Sequence, residues 1–243
     1  MKKFLFIFGW VIFWMSAGVP LQANIQNTIE EKMHSSQKAH RHKLALVELE
    51  FRFIKEMYYE RNVRFHPGEK IKILTDVQHQ TRRCRGVLLD DLTWVLTPAT
   101  CVAEKSGFEL KKVKLALANG KKGCGSKTTV QVSGEISRVR VASELVSGLV
   151  GVPAASISPT KTLREVYGSD LSLQLMDFLI TGGVFSPRAA RWSPNPQKPR
   201  LQVGDPFFYQ GKLVALVRRV PVKIPWDLFS GVNEDFLSVL RTP

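Results

Sequence analysis

The sequence predicts a mainly β protein preceded by a long N-terminal helix. From Lys70 onward, short runs rich in β-branched and apolar residues alternate with turn residues, which is typical of a barrel or sandwich. Before that point, apolar residues recur at helical spacing. With 243 residues, 44% of them hydrophobic, the chain can bury a sizeable core as one large domain or two small ones.

The first 23 residues have the pattern of a secretory signal peptide. Two lysines precede the apolar run FLFIFGWVIFWM, and small and polar residues lead to Ala23. We therefore expect residues 1–23 to direct the protein to a secreted or periplasmic location. Leu21 is larger than the residue usually found at that position, and Phe4–Ala23 is long enough to span a bilayer. An uncleaved membrane anchor therefore stays open as the alternative.

Residues 24–67 are predicted to form the N-terminal helical segment. Thr28 and Glu31 match a capping box, in which two side chains satisfy free backbone N–H groups at a helix start. Pro67 and the glycine after it end the segment. The apolar face is wide, and we expect it to dock on the following domain. Its members are Leu44, Val47, Phe51, Ile54 and Tyr58, with Leu46, Leu49, Phe53 and Met57 beside them.

The remaining chain, residues 68–243, reads as a β domain with two connectors. Residues 142–169 are small and contain serine and proline, and residues 181–200 contain four prolines. A hairpin turns around Gln210-Gly211, and Val232–Leu240 is predicted as a weak helix. The predicted strands are Lys70–Val77, Gly86–Leu89, Thr93–Thr97, Lys111–Ala118, Thr128–Val141, Asp170–Met176, Pro206–Tyr209 and Lys212–Val220.

Three cysteines, Cys84, Cys101 and Cys124, leave one thiol over if two of them pair. Export favours such a disulfide. No two cysteines have the spacing of a zinc site, and none of the five histidines lies near a cysteine pair. We therefore expect neither a metal nor another cofactor.

The formal net charge is +14, and removal of the two lysines of the signal would leave +12. Such a charge favours acidic partners. The basic residues occur in scattered pairs such as Arg82-Arg83 and Lys121-Lys122, without an aromatic stacking motif. We therefore expect a protein partner rather than nucleic acid, and membrane contact only through an uncleaved N-terminal segment.

Residues 84–101 resemble a signature of the trypsin/chymotrypsin family of serine peptidases. That family has Cys-x-Gly-x-Leu-(Leu/Ile), a short turn, and then Trp-Val-Leu-Thr-Ala-Ala-His-Cys. Its catalytic histidine falls on Thr100 here, and a hydroxyl group cannot act as a general base near neutral pH. The matching residues are Cys84, Gly86, Leu88, Leu89, Trp94, Val95, Leu96, Thr97, Ala99 and Cys101.

Two further signatures are similar to those of the family but altered. Asp170 begins a run like Asp-Leu-Ala-Leu-Leu-x-Leu with one residue missing, so it matches the aspartate that orients the histidine. The family's Gly-Asp-Ser-Gly-Gly-Pro corresponds to Gly204-Asp205-Pro206, which lacks the nucleophilic serine. The residue after Asp205 is a proline, which offers no N–H to an oxyanion hole. Arg218 and Arg219 replace the Trp-Gly that ends the family's substrate-pairing strand.

The resemblance implies a chymotrypsin-like double β-barrel, with a first barrel over about residues 70–180 and a shortened second barrel over about 200–243. It also implies a disulfide between Cys84 and Cys101, with Cys124 free. The functional hypothesis is a secreted homologue without catalytic activity that acts by binding. The alternatives are an active trypsin-like endopeptidase with divergent catalytic residues and a basic module for an acidic surface.

Overall fold

The structure is a computed structural model, and it describes residues 44–62, 70–168, 201–220 and 234–242. These residues belong to one compact unit that begins at Arg41. The predicted signal peptide, the capping box at Thr28, the strand at Asp170 and the connector 181–200 lie outside the described residues. Within them the protein is mainly β, as the sequence predicts.

Ten strands form two antiparallel sheets in the described part of the chain. The smaller sheet has the order β10-β9-β8 and contains β8 (Pro206–Tyr209), β9 (Lys212–Val217) and β10 (Leu237–Val239). The larger sheet has the order β5-β4-β1-β2-β3-β7-β6. It contains β1 (Leu46–Asn62), β2 (Lys70–Leu88), β3 (Trp94–Pro98), β4 (Glu109–Leu117), β5 (Lys122–Gly125), β6 (Val130–Ser133) and β7 (Ile136–Arg140).

The predicted helix is wrong over Leu46–Asn62, which is the central strand β1. Between residues 47 and 53 every second side chain is apolar and buried, and Glu48, Glu50 and Arg52 alternate with them on the other face. This period of two is the pattern of a strand. The hydrogen-bond ladders of β2 on one side and β4 on the other satisfy the backbone of β1. The spacing of three and four that suggested a helix is a coincidence of a segment rich in apolar residues.

The larger sheet is curved so that its two ends lie close together. Seven flat strands would place β5 and β6 about 29 Å apart at the usual strand spacing. Only residues 126–129 separate these two strands along the chain, and a link of that length reaches at most about 18 Å. The sheet therefore wraps around an apolar interior, which includes Leu49, Phe51, Val95 and Val113.

The second sheet packs against the outer face of the first near β2 and β3. Val87 and Leu96 from the larger sheet join Phe208, Leu213 and Leu216 from the smaller one in a single buried cluster. The backbone N–H of Arg85 also donates to the carbonyl of Val203, at 2.8 Å. The smaller sheet thus covers part of this outer face, and the rest of that face carries charged residues.

Two further local predictions differ from the structure. The predicted helix at Val232–Leu240 is wrong over its described part, where a short 3-10 turn, Glu234–Phe236, leads into β10. β10 pairs with β9, and this pairing outweighs the weak helical tendency. The connector 142–169 contains a short helix, α2 (Leu163–Tyr167). The sequence contains a signal for this helix, the capping box formed by Thr162 and Glu165.

No helix among the described residues is long and apolar enough to cross a membrane.

Candidate functional site

Thr100, the position that the resemblance places at the catalytic histidine, lies on the short helix α1 (Ala99–Val102). Pro98 ends β3 and precedes this helix. The disulfide between Cys84 and Cys101 is present and joins α1 to β2. Both of its cysteines are buried, whereas Thr100 beside them is exposed. The resemblance therefore pairs the two cysteines correctly, and the disulfide holds α1 against the core.

The hydroxyl of Thr100 is directed at the backbone of the smaller sheet. Its Oγ1 donates to the carbonyl oxygen of Arg218, at 3.4 Å. The carbonyl of Thr100 accepts a hydrogen bond from Arg82 Nη1 at 3.3 Å, and the carbonyl of Ala103 accepts from the same nitrogen. The Arg82 guanidinium also lies 4.4 Å from the centre of the Phe53 ring. Arg82 thus binds the carbonyl end of α1, where a cation is favourable.

Arg218 spans from the smaller sheet to the larger one. It follows β9, and its Nη1 forms an ion pair with Glu135, which lies in the turn between β6 and β7. Its Nη2 donates to the carbonyl of Asp235 at 3.1 Å. The backbone N–H of Ala99 donates to the carbonyl of Glu135 at 2.8 Å, so the same turn also contacts α1. Arg218 therefore connects Thr100 with the turn between β6 and β7 and with the backbone of Asp235.

Asp205, which the resemblance places directly before the nucleophile position of the family, is a buried structural carboxylate. Its Oδ1 accepts from Arg85 Nη1 at 2.8 Å, and its Oδ2 accepts from the backbone N–H of Gln202 at 2.6 Å. Burial raises the pKa of Asp205, and these hydrogen bonds partly offset the rise. Pro206 follows directly and begins β8. This segment therefore connects the sheets and presents no nucleophile.

Among the described residues, none of the other sequence-predicted candidate groups lies at this site. Asp170 lies outside the described residues. The described ranges contain one histidine, His79, which lies opposite Ile54 in the β1–β2 pair. No group of three His, Cys, Asp or Glu residues in the described ranges could hold a metal ion. Cys124 is a free, exposed thiol, as predicted.

Sequence reasoning missed two ion pairs, Arg85 with Asp205 and Arg218 with Glu135. Each joins residues far apart in the chain, so no local spacing predicts the partner. One signal was present in the sequence, because Asp205 stands between a glycine and an apolar strand, a context that favours burial of its side chain. A buried carboxylate needs a cation or several hydrogen-bond donors as partners.

A second surface with functional potential is the open part of the outer face of the larger sheet, on β5, β4, β1 and β2. We call it the basic face. Glu50 lies at its centre and contacts Arg52 at 2.8 Å, Lys114 at 3.3 Å and Arg83 at 3.7 Å. Hydrogen bonds from Arg52 and Lys114 lower the pKa of Glu50. By register, the basic residues of this face are Arg52, Arg83, Lys112, Lys114 and Lys122.

Comparisons with known proteins give limited matches. No protein-family model matches the sequence, and no curated protein matches it. Two solved structures that it resembles are the HtrA-type protease AlgW with a decapeptide, with a TM-score of 0.28, and a variant form of that protease with a decapeptide, with a TM-score of 0.32. Each is 12% identical and covers 50% of this chain, and the match spans 36% of the protease chain.

Proposed function

We propose that this chain is a secreted, non-catalytic homologue of trypsin-like serine proteases that acts by binding. The observation that carries the proposal is the hydroxyl of Thr100, which is bonded to the backbone of Arg218 where a protease needs an imidazole. A hydroxyl has no basic site that accepts a proton near neutral pH. The buried Asp205 followed by Pro206 supports the proposal, because the nucleophile and one oxyanion donor are absent from this segment.

Magnitudes argue against residual turnover. Proteases of this type that lose a triad member keep roughly 10³- to 10⁴-fold catalysis over water through the oxyanion hole and binding. Loss of one oxyanion donor removes about another 10²- to 10³-fold. Both losses together leave little of the rate enhancement.

The test is labelling with a serine-reactive phosphonate, together with turnover of a mixed peptide library between about pH 5 and 9, the range in which an imidazole base operates. We expect neither labelling nor cleavage above background, with active trypsin as the positive control. The matched variant is Asp170→Ala. Cleavage by the wild type that disappears in this variant would establish the alternative, a protease with divergent catalytic residues.

The second candidate function, a basic module for an acidic surface, is favoured by the basic face. Its five cations surround one acidic residue, Glu50, and the neighbouring Glu48 is paired with Arg85. The patch therefore has a net positive charge in a strongly basic chain. The probe is heparin-agarose. The double variant Lys112→Glu/Lys122→Glu should elute at lower salt than the control Arg138→Glu/Arg140→Glu, which changes the charge equally on β7. Equal shifts for both variants would show that only net charge matters.

A further inference from the structure

The hairpin of β1 and β2 extends beyond the body of the larger sheet. β4 pairs with β1 only as far as Ile54. Beyond it, Lys55–Asn62 pairs with Lys70–Gln78, and no third strand joins them among the described residues. We call this two-stranded extension the arm. An isolated two-stranded ribbon is marginally stable in water, so an arm of this length is favoured only if it gains further contacts.

The arm exposes an unusual amount of apolar side chain. Of the eleven large hydrophobic residues that are exposed in the described ranges, seven lie on the arm. Single exposed apolar residues are ordinary, but a contiguous group marks an interaction surface. The seven are Met57, Tyr58, Tyr59, Ile71, Ile73, Leu74 and Val77.

These residues occupy both faces of the ribbon. Tyr59 pairs with Ile73, and the alternation of the strands places Met57 and Ile71 on the same face. Tyr58 pairs with Leu74 on the opposite face, where Val77 also lies because a bulge at Thr75 shifts the register. The larger share of the exposed apolar side chains therefore lies on the face of Tyr59 and Ile73.

The charge of the arm decides which partner it suits. The arm carries four basic residues and three acidic ones, in a chain of net charge +14. Lys70 and Glu60 form an ion pair at 3.4 Å. The arm therefore offers little electrostatic attraction to a strongly acidic partner. Two copies of this basic chain repel each other over the rest of their surface. The nearly neutral arm is the region where this electrostatic repulsion is weakest.

The exposed area is enough for a small dimer interface. Seven half-exposed side chains of this size offer on the order of 600 Å² per copy over both faces, and the four on the face of Tyr59 offer somewhat more than half of this, against about 800 Å² per partner in a standard interface. Pairing of the open outer edge of β1 beyond Ile54 would add backbone contacts. A two-fold arrangement brings the same surface from both copies together, which is the commonest symmetry of homodimers.

We propose that the arm is a homodimerisation element, in which two copies of this chain pack arm against arm. The apolar side chains of the face that carries Tyr59 and Ile73 become buried, and the near-neutral charge allows two basic molecules to meet. This inference does not depend on whether the protein has catalytic activity.

The test is sedimentation velocity of the purified full-length protein from about 1 to 100 μM, a range that covers interfaces of ordinary affinity. We expect a concentration-dependent dimer. The double variant Tyr59→Glu/Ile73→Glu should raise the dissociation constant at least about 30-fold, as for a hot-spot loss. The control Val132→Glu/Val150→Glu changes two exposed valines away from the arm and should dimerise like the wild type.

A second readout keeps the arm sequence nearly intact in case the double variant misfolds. In a Cys124→Ser background, Arg61→Cys places one thiol on the same face of the arm as Tyr59, and mild oxidation should give a disulfide-linked dimer on a non-reducing gel. A wild type that stays monomeric over the whole concentration range overturns the proposal. So does a folded arm variant that dimerises unchanged, or an Arg61→Cys protein that does not cross-link.

Discussion

Gly204 lies where the smaller sheet approaches β2 most closely. A Cβ at this position would stand 1.8 Å from the carbonyl oxygen of Arg85, and its φ of +92° is one that residues with side chains rarely adopt. The same carbonyl oxygen accepts a hydrogen bond from the buried Thr97 hydroxyl at 3.0 Å. There is therefore no space for a methyl group without movement of one sheet away from the other.

We expect Gly204→Ala to lower the free energy of unfolding by about 3 kcal/mol, from the strained φ and the backbone clash together. Gly120→Ala is the matched control, because Gly120 also has a positive φ, +82°, but nothing lies within 4 Å of its Cβ position. Its loss should be about 1 kcal/mol, the conformational part alone. Urea denaturation of both variants measures the difference, and equal losses would contradict a close approach at Gly204.

The disulfide between Cys84 and Cys101 gives a second prediction at this scale. Its sequence separation is 17 residues, and a loop of this size stabilises the folded chain by about 3 kcal/mol in the chain-entropy model. The variant Cys84→Ser/Cys101→Ser should lose that amount in thermal denaturation. Cys124→Ser should leave the melting temperature unchanged, since Cys124 is exposed and unpaired. Mass mapping that links Cys124 to either of the other two would contradict the assignment.

At the scale of the element, substitutions in β1 should affect stability differently from the same substitutions in a helix. Leu49 and Phe51 are buried and Ile54 is half-buried. In a helix with its apolar face along Val47, Phe51 and Ile54, Leu49 would lie on the opposite side, about 200° around the axis from Val47.

We therefore expect Leu49→Ala to cost about 3 kcal/mol of unfolding free energy, within the usual range for core truncations, and Ile54→Ala about 1 kcal/mol. Arg52→Ala is the surface control, because Arg52 points away from the core and its side chain forms only an exposed ion pair with Glu50. Chemical denaturation ranks the three variants. A larger loss at Ile54 than at Leu49 would support the helix over the strand.

At the scale of the whole molecule, two ion pairs join the sheets. Arg218, after β9, reaches Glu135 in the turn between β6 and β7, and Arg85 of β2 reaches Asp205 before β8. Arg82 holds α1 against β2 within the larger sheet. A single substitution at Thr100 changes the contact with Arg218 and supplies no second group of a triad.

We therefore expect Thr100→His to show no hydrolysis of a peptide library above the wild type. On the proposed function, the imidazole would lack both a serine to activate and the N–H that Pro206 cannot supply, and catalysis needs all reacting groups in place. The companion variant Thr100→Ala serves as the control for the loss of the hydroxyl. Turnover gained by the histidine variant alone would mean that a nucleophile exists elsewhere in the chain.

The sequence by itself was sufficient for the features that depend on neighbouring residues. It predicted the mainly β character and the β8–β9 hairpin around Gln210-Gly211. The pairing of Cys84 with Cys101 followed from the resemblance. These features depend on turn chemistry, short-range alternation and a compact motif, all of which can be read within about 20 residues.

Only the tertiary structure decided the state of Leu46–Asn62 and the partners of Arg85 and Arg218. The segment contains both a period of two and a spacing of three and four, and the ladders of β2 and β4 select the strand. Arg85 and Asp205 are 120 positions apart, so their ion pair follows from the packing of one sheet on the other. Side-chain pairing across such distances depends on the fold, because local spacing carries no information about it.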